Sequence, residues 1–383
     1  MEQRGGTLAV SVARAPATGS TPGERIAAYR DLEPMVPASN EKLRTAFAGY
    51  ELLGANTVFD TTVVATGPIV DGELRGDLVL VGGGNPTLTA EGPDSLAALA
   101  AAVSGAGVKR VQGSLIVDVS RYDRERTTPG WPDSAWPSAV GALSAIVVDR
   151  NRSTDALADP AVHATNAFRT ELRRTGIEIA GPNATREKAP SPAGTELARR
   201  SSAPLGALIA DMLTNSNNLT AELITKELGW RTAGKGTTVD GLRAVGAVLE
   251  SRCVAVGTAL DGSGLSGMNR QTAADLRLLT DTTRTRPWAR SFRDGLAIGG
   301  TTGTLVGRFT GPAVRGRVWA KTGGLANART LTGELVTRRG DTLTFSVLVN
   351  GNVPDAEAAI DAYVTALVTS GGEAATPAES SHR

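Results

Sequence analysis

Three short motifs could do chemistry together: Ser39-Asn40-Glu41-Lys42, Ser216-Asn217-Asn218 and Lys321-Thr322-Gly323, in that order along the chain. Of the six lysines, only Lys42 has a serine three residues before it, and only Lys321 is followed by Thr-Gly. A serine hydroxyl is a weak nucleophile until a neighbouring base takes its proton. At a spacing of i, i+3 on a helix, Ser39 and Lys42 share one face. Lysine can be that base once burial or a nearby cation lowers its pKa, and Lys321 is the expected cation. Ser216 can pass the proton to a leaving amine, and the Asn218 amide can hold a substrate carbonyl or amide. The heads of Lys321 and Thr322 suit a carboxylate, while Gly323 and Gly324 let a peptide backbone approach a strand edge. The N–H groups of Ser39 and Gly324 are candidates for an oxyanion hole. This is the equipment of a serine acyl-transfer site that works without histidine.

Composition narrows the alternatives. The chain has 383 residues, enough for two or three domains with a proper core. Forty basic and thirty-nine acidic residues nearly cancel, so no overall field favours nucleic acid or an anionic bilayer. One cysteine, Cys253, excludes an internal disulfide and a cysteine-rich zinc site, and is expected to be a buried or half-buried thiol. The two histidines, His163 and His382, lack a serine motif to serve. No metal-ligand spacing is evident, so neither a metal nor a cofactor is expected. No apolar run approaches the roughly 18–20 residues of a membrane span. No signal peptide is visible ahead of the strand-like residues 7–12.

The elements that must position the motifs follow from periodicity. Strands are expected over 7–13 and 26–29, then a helix after Pro37 with Leu43, Phe47, Tyr50 and Leu53 on its apolar face. From about 58 to 148 the character changes to short alternating strands between Gly-rich turns, with one Ala-rich helix at 95–105. The Trp131 and Trp136 loop could line a groove but reads better as a packed loop. Helices are expected over 161–176, 205–229, 237–250 and 272–282, with the Ser216-Asn217-Asn218 turn inside the second. Three strands (317–322, 330–337, 342–349) and a helix (355–370) close the chain. The expected organisation is α/β (α+β): a discontinuous catalytic domain (1–60 and 150–371), an inserted strand-rich accessory domain (61–149), and a flexible tail (372–383).

With these motifs the chain resembles the penicillin-binding and serine β-lactamase superfamily. More narrowly it resembles the D-alanyl-D-alanine carboxypeptidase/endopeptidase family of class C penicillin-binding proteins (the penicillin-binding protein 4 type, peptidase S13). Supporting segments are 37–43, Gly84-Asn85-Pro86-Thr87-Leu88, 216–222, Asp261-Gly262-Ser263-Gly264-Leu265-Ser266, Gly303-Thr304-Leu305 and 320–323. The resemblance implies a transpeptidase-like domain with an antiparallel sheet flanked by helices. It implies cleavage of the terminal D-Ala-D-Ala bond of peptidoglycan stem peptides, acylation by β-lactams, and a place in the periplasm or cell wall after loss of an export segment. Asn85 and Asn217 stand where the family often has Asp, and Gly324 where Thr is frequent. Two other readings share the motifs: a β-lactamase, distinguished by fast deacylation, and a cell-wall-binding protein with an idle site.

Overall fold

The computed structural model describes residues 5–15, 23–188 and 193–370; the expected tail, 372–383, lies outside them. The chain opens with β1 (Thr7–Arg14) and β2 (Arg25–Tyr29), then a 3-10 turn (Ala38–Asn40) running into α1 (Glu41–Leu52). There follow β3 (Asp60–Ala65), β4 (Ile69–Val70), β5 (Glu73–Leu74), β6 (Leu78–Val81), α2 (Leu96–Gly105), β7 (Arg110–Val111) and β8 (Leu115–Asp118). Next come α3 (Thr154–Ala158), α4 (Pro160–Arg174), β9 (Glu178–Ile179), β10 (Asn183–Arg186) and β11 (Thr195–Ser201). The remainder comprises α5 (Leu205–Asn215), α6 (Asn218–Ala233), α7 (Thr238–Glu250), α8 (Ala273–Thr283), α9 (Ala289–Asp294), β12 (Ala297–Ile298), β13 (Val318–Leu325), β14 (Ala328–Val336), β15 (Thr342–Asn350) and α10 (Ala356–Ser370).

The main sheet is antiparallel, in the order β12-β13-β14-β15-β1-β2, so the two ends of the chain meet in its centre. Helix α10 packs against β14, while α8 packs against β1, β14 and β15. Strands covered on both faces become apolar almost throughout, which explains the run Leu343 to Val349, buried at every position. Helices α5, α6, α7 and α8 surround α1, which is buried from Glu41 to Tyr50. The expected single apolar face of α1 is therefore only part of its buried surface. Its polar residues are enclosed with it and must find partners.

The described residues between 60 and 201 form a second unit around a five-stranded sheet, β10-β8-β6-β3-β11, and a small four-stranded sheet, β4-β5-β7-β9. The expected boundary at 149 falls inside this unit. β10 pairs in parallel with β8, and β11 pairs antiparallel with β3. A parallel pair needs a crossover connection, and α4, expected in the catalytic domain, lies with the short α3 between β8 and β10. Both late strands lie at sheet edges and bury only Ala198 fully, so their sequences, NATR and TELARRS, carry little hydrophobic signal.

The inserted unit is stapled to α6, the helix that begins at Asn218. Arg121 donates to both oxygens of buried Glu227 (2.8 and 2.6 Å), and the Tyr122 hydroxyl and Arg231 Nε donate to the same carboxylate (3.1 and 2.8 Å). Replacing Glu227 by Ala would leave the buried Tyr122 hydroxyl only its long bond to the Leu223 carbonyl (3.4 Å) and would take the carboxylate from Arg121. The expected cost is about 2–4 kcal/mol, seen as a lowered unfolding midpoint, with Glu227→Gln falling between the variant and the parent. An unchanged midpoint in Glu227→Ala would show that the staple contributes nothing.

Candidate active site

Ser39 lies in the 3-10 turn ahead of α1, one residue after Ala38, whose φ of 46° is left-handed. It is half-buried, whereas Lys42, one turn later, is fully enclosed. The Lys42 ammonium reaches three acceptors: Ser39 Oγ at 3.0 Å, Asn218 Oδ1 at 2.6 Å and the Ser263 carbonyl at 2.5 Å. Asn218 is held in that orientation because its Nδ2 donates to the Ala139 carbonyl at 3.0 Å. The Asn218 oxygen and the Ser263 carbonyl can only accept. A neutral amine keeps two N–H bonds for them, and its lone pair is then left facing the Ser39 hydroxyl. The geometry is that of a nucleophile beside its base.

Burial lowers the Lys42 pKa to about 8, against the opposing pull of Asp261, Glu222 and Glu41. Lys321, also fully buried, is pushed well below its ordinary value by burial and then by the Lys42 charge. Desolvation is the leading cause at both amines, and the charge on Lys42 further opposes protonation of Lys321. Lys321 Nζ donates to the Thr322 carbonyl at 2.9 Å.

The motif segments are brought together by packing. β13 runs beside the 3-10 turn: a Cβ on Gly323 would lie 2.9 Å from the Pro37 carbonyl and closer still to Thr330 Oγ1. β12 pairs only with Trp319 and Ala320, so residues 321–325 present an edge that β12 does not cover. Along it, Thr322 Oγ1 donates to Thr304 Oγ1 at 2.8 Å, and Gly324 lines up with Arg329 on β14.

Ser216 ends α5 in the left-handed conformation (φ 59°, ψ 41°), where glycine is the usual residue. Strain of this kind at a non-glycine residue persists where surrounding structure enforces it. Asn217 takes the capping role, accepting from Thr220 N at 3.3 Å, which leaves Ser216 and Asn218 to face a shared pocket. The structure thus links Ser39, Lys42 and Asn218 directly, brings Lys321 close enough to feel the Lys42 charge, and places Ser216 beside Asn218 in the lining of one cavity.

Several contributors were not among the expected site residues. The turn 261–266 supplies the Ser263 carbonyl, and buried acids hold it in place. Glu222 accepts from the Ser263 and Gly262 N–H groups (2.8 and 3.3 Å); burial, then Asp261 beside it, raises its pKa to about 8. Asp261 Oδ1 accepts from Gly264 N and Asn269 Nδ2, and Oδ2 accepts from Ser266 N and Trp131 Nε1 (2.8 Å each). The Trp131 loop is therefore packed, as expected, and its indole reaches under the site. Carboxyls buried beside a lysine motif were a possible signal, but only contacts could show which ones mattered. Cys253 is exposed, contrary to expectation, in a turn after α7. Among the described residues no three His, Cys, Asp or Glu side chains converge as a metal site, and no helix is long and apolar enough to cross a membrane.

A half-buried serine bonded to a buried lysine, flanked by an Asn amide and a second buried lysine beside a strand edge that β12 leaves open, defines a serine acyl-transfer site of the penicillin-binding class. The sequence pattern of the D-Ala-D-Ala carboxypeptidase 3 (S13) family matches residues 8–157 and 150–369, and the chain belongs to that family. It is 30% identical over 441 residues to the D-alanyl-D-alanine carboxypeptidase of Actinomadura sp. (strain R39), covering 92% of this chain and 80% of that protein. It is 32% identical over 363 residues to carboxypeptidase DacB of Mycolicibacterium smegmatis, covering 88% and 76%. The crystal structure of penicillin binding protein 4 (dacB) from Haemophilus influenzae superposes with a TM-score of 0.83 at 22% identity, covering 91% of each chain, which establishes the shared fold.

Asp261 offers a sharp test of how the base is held. Asp261→Asn keeps the shape but turns an NH2 toward N–H donors. We expect a stability loss of about 2–4 kcal/mol and slower acylation; parental melting and parental acylation together would show that the turn does not hold Lys42.

Proposed function

We propose that this chain is a serine DD-carboxypeptidase, also able to act as an endopeptidase, that cleaves the D-Ala-D-Ala bond of peptidoglycan stem peptides outside the cytoplasm. The observation that carries the reading is the buried Lys42 amine 3.0 Å from Ser39 Oγ, with its other hydrogens committed to Asn218 and Ser263. Family membership and the named activity of the curated relatives support the substrate class.

In this reading the stem peptide lies along the 321–325 edge, adding its backbone to the sheet as an extended strand. Ser39 Oγ attacks the penultimate D-Ala carbonyl while Lys42 accepts its proton. The N–H groups of Ser39 and Gly324 receive the oxyanion. Ser216 relays the proton to the departing amine, Asn218 and Thr322 orient the peptide, and water then releases the acyl-enzyme. A β-lactam would acylate Ser39 by the same route; a Haemophilus influenzae relative has been solved with such a compound. The division into a catalytic domain (5–59 and 202–370) and an accessory domain (60–201) belongs to the same proposal.

Ser39→Ala should lose covalent labelling by a fluorescent penicillin and lower D-Ala release by roughly 10⁴-fold or more; retained labelling and turnover would refute the assignment. Because the neutral amine is the base and its pKa is about 8, only about a tenth of Lys42 is competent at pH 7. The acylation rate should therefore climb with pH and level off above about 8. A rate that falls across that range would exclude Lys42 as the base.

A further inference from the structure

Asn40 occupies the N-cap of α1, yet its side chain makes no capping bond. Asparagine at such a position usually accepts from a first-turn N–H, as Asn217 does from Thr220 N at the start of α6. The Asn40 amide turns to the sheet instead. Fully enclosed, it donates from Nδ2 to Thr332 Oγ1 at 3.1 Å, while its Oδ1 has no hydrogen-bond partner among the described residues. Thr332 in turn shares a hydrogen bond with Ser346 Oγ at 2.8 Å, so the contact is anchored on two strands of the main sheet.

Two residues earlier, on the same face of β14, Thr330 Oγ1 donates to the Pro37 carbonyl at 2.9 Å. Thr330 pairs with Gly323 and Thr332 with Lys321, so both threonines stand beside the third motif. The Pro37 bond crosses Gly323, where a Cβ would fall 2.0 Å from Thr330 Oγ1. Valine is nearly isosteric with threonine and suits a covered strand as well, so it is the bonds, not packing, that call for two buried hydroxyls. One holds Pro37 and the other Asn40, on either side of Ser39. Between them Ala38 has a left-handed φ of 46°, a conformation that persists where surrounding structure enforces it.

We propose that Thr330, Thr332 and Asn40 are positioning residues: they clamp the nucleophile turn onto the sheet and thereby set the spacing between the N–H groups of Ser39 and Gly324. The proposal rests on the reading of those two groups as the oxyanion hole. They belong to different segments, the turn and β13, so neither segment alone fixes their separation; the β13–β14 ladder and the clamp together do. An oxyanion is held only where both donors reach it at hydrogen-bond distance. Asn350 brackets Val36 separately, accepting from its N–H at 2.7 Å and donating to its carbonyl at 3.1 Å. The segment therefore stays docked without the clamp, and the loss is one of placement.

The test is the acylation of Ser39 by a fluorescent penicillin in T330V/T332V. The acylation rate constant should fall roughly 10- to 100-fold, with little change in the affinity of the noncovalent complex. T332S, which keeps the hydroxyl, should stay near the parent. Adding Asn40→Ala to T332V should slow acylation no further, because both remove one bond. An unchanged rate in T330V/T332V, a loss felt mainly in affinity, a loss as large in T332S as in T332V, or independent losses from Asn40→Ala and T332V would overturn the clamp. So would a shifted pH midpoint, which would mean that Thr332 acts through Lys321 opposite it. Amide hydrogen exchange separates this question from the proposed reaction: residues 37–43 should exchange faster in T330V/T332V while α10 is unchanged. If the parent is not acylated, the proposed reaction falls and exchange still decides the clamp; equal exchange in variant and parent, or a rise shared by α10, overturns it.

Discussion

The structure turns on one desolvated amine. Lys42 is fully enclosed, and an enclosed ammonium is expensive unless its hydrogens are bonded. Three acceptors meet that demand, and two of them, the Asn218 oxygen and the Ser263 carbonyl, cannot donate in return. The third is the Ser39 hydroxyl, so the arrangement that makes burial tolerable also aims the lone pair of the neutral amine at the nucleophile. Catalytic geometry and satisfied hydrogen bonding are here the same requirement.

Everything near that amine helps to hold its acceptors. Asn218 is oriented by the Ala139 carbonyl, and the 261–266 turn is tied down by Glu222, Asp261 and, through Asp261, the Trp131 indole. Ala139 and Trp131 both belong to the inserted unit, so that unit is part of the site's frame and not a passenger on it. Further contacts weld the same loop to the turn: Ser266 Oγ donates to the Pro129 carbonyl at 3.0 Å, and a Cβ on Gly130 would collide with Ser266.

The acids beneath Lys42 pull in the opposite direction from its burial. Glu41, Glu222 and Asp261 raise the Lys42 pKa, while desolvation lowers it, and the balance falls near 8. Glu41, itself pushed up to about 7 by burial, is neutralised in part by Arg44, which donates to it at 2.6 Å. A lysine with no acids nearby would lose its proton more readily but would be a weaker base. The acids therefore set a working compromise between availability and basicity.

The sequence by itself determined the chemistry and much of the frame. Ser39, Lys42, Ser216, Asn218 and Lys321 stood out by type and spacing, because short motifs on helices and strand ends place side chains by local geometry alone. The strands after 317 and the major helices were legible from apolar runs and periodicity, although α1, α6 and β15 are buried on nearly every side and not along one stripe. Tertiary structure alone decided which carbonyls face Lys42, that Lys42 and Lys321 are both fully enclosed, and that strands 183–186 and 195–201 complete the inserted sheet. Those outcomes depend on backbone oxygens, on burial, and on the pairing of polar edge strands such as 183–186. None of these leaves a pattern in residue order; each exists only once distant segments are packed together.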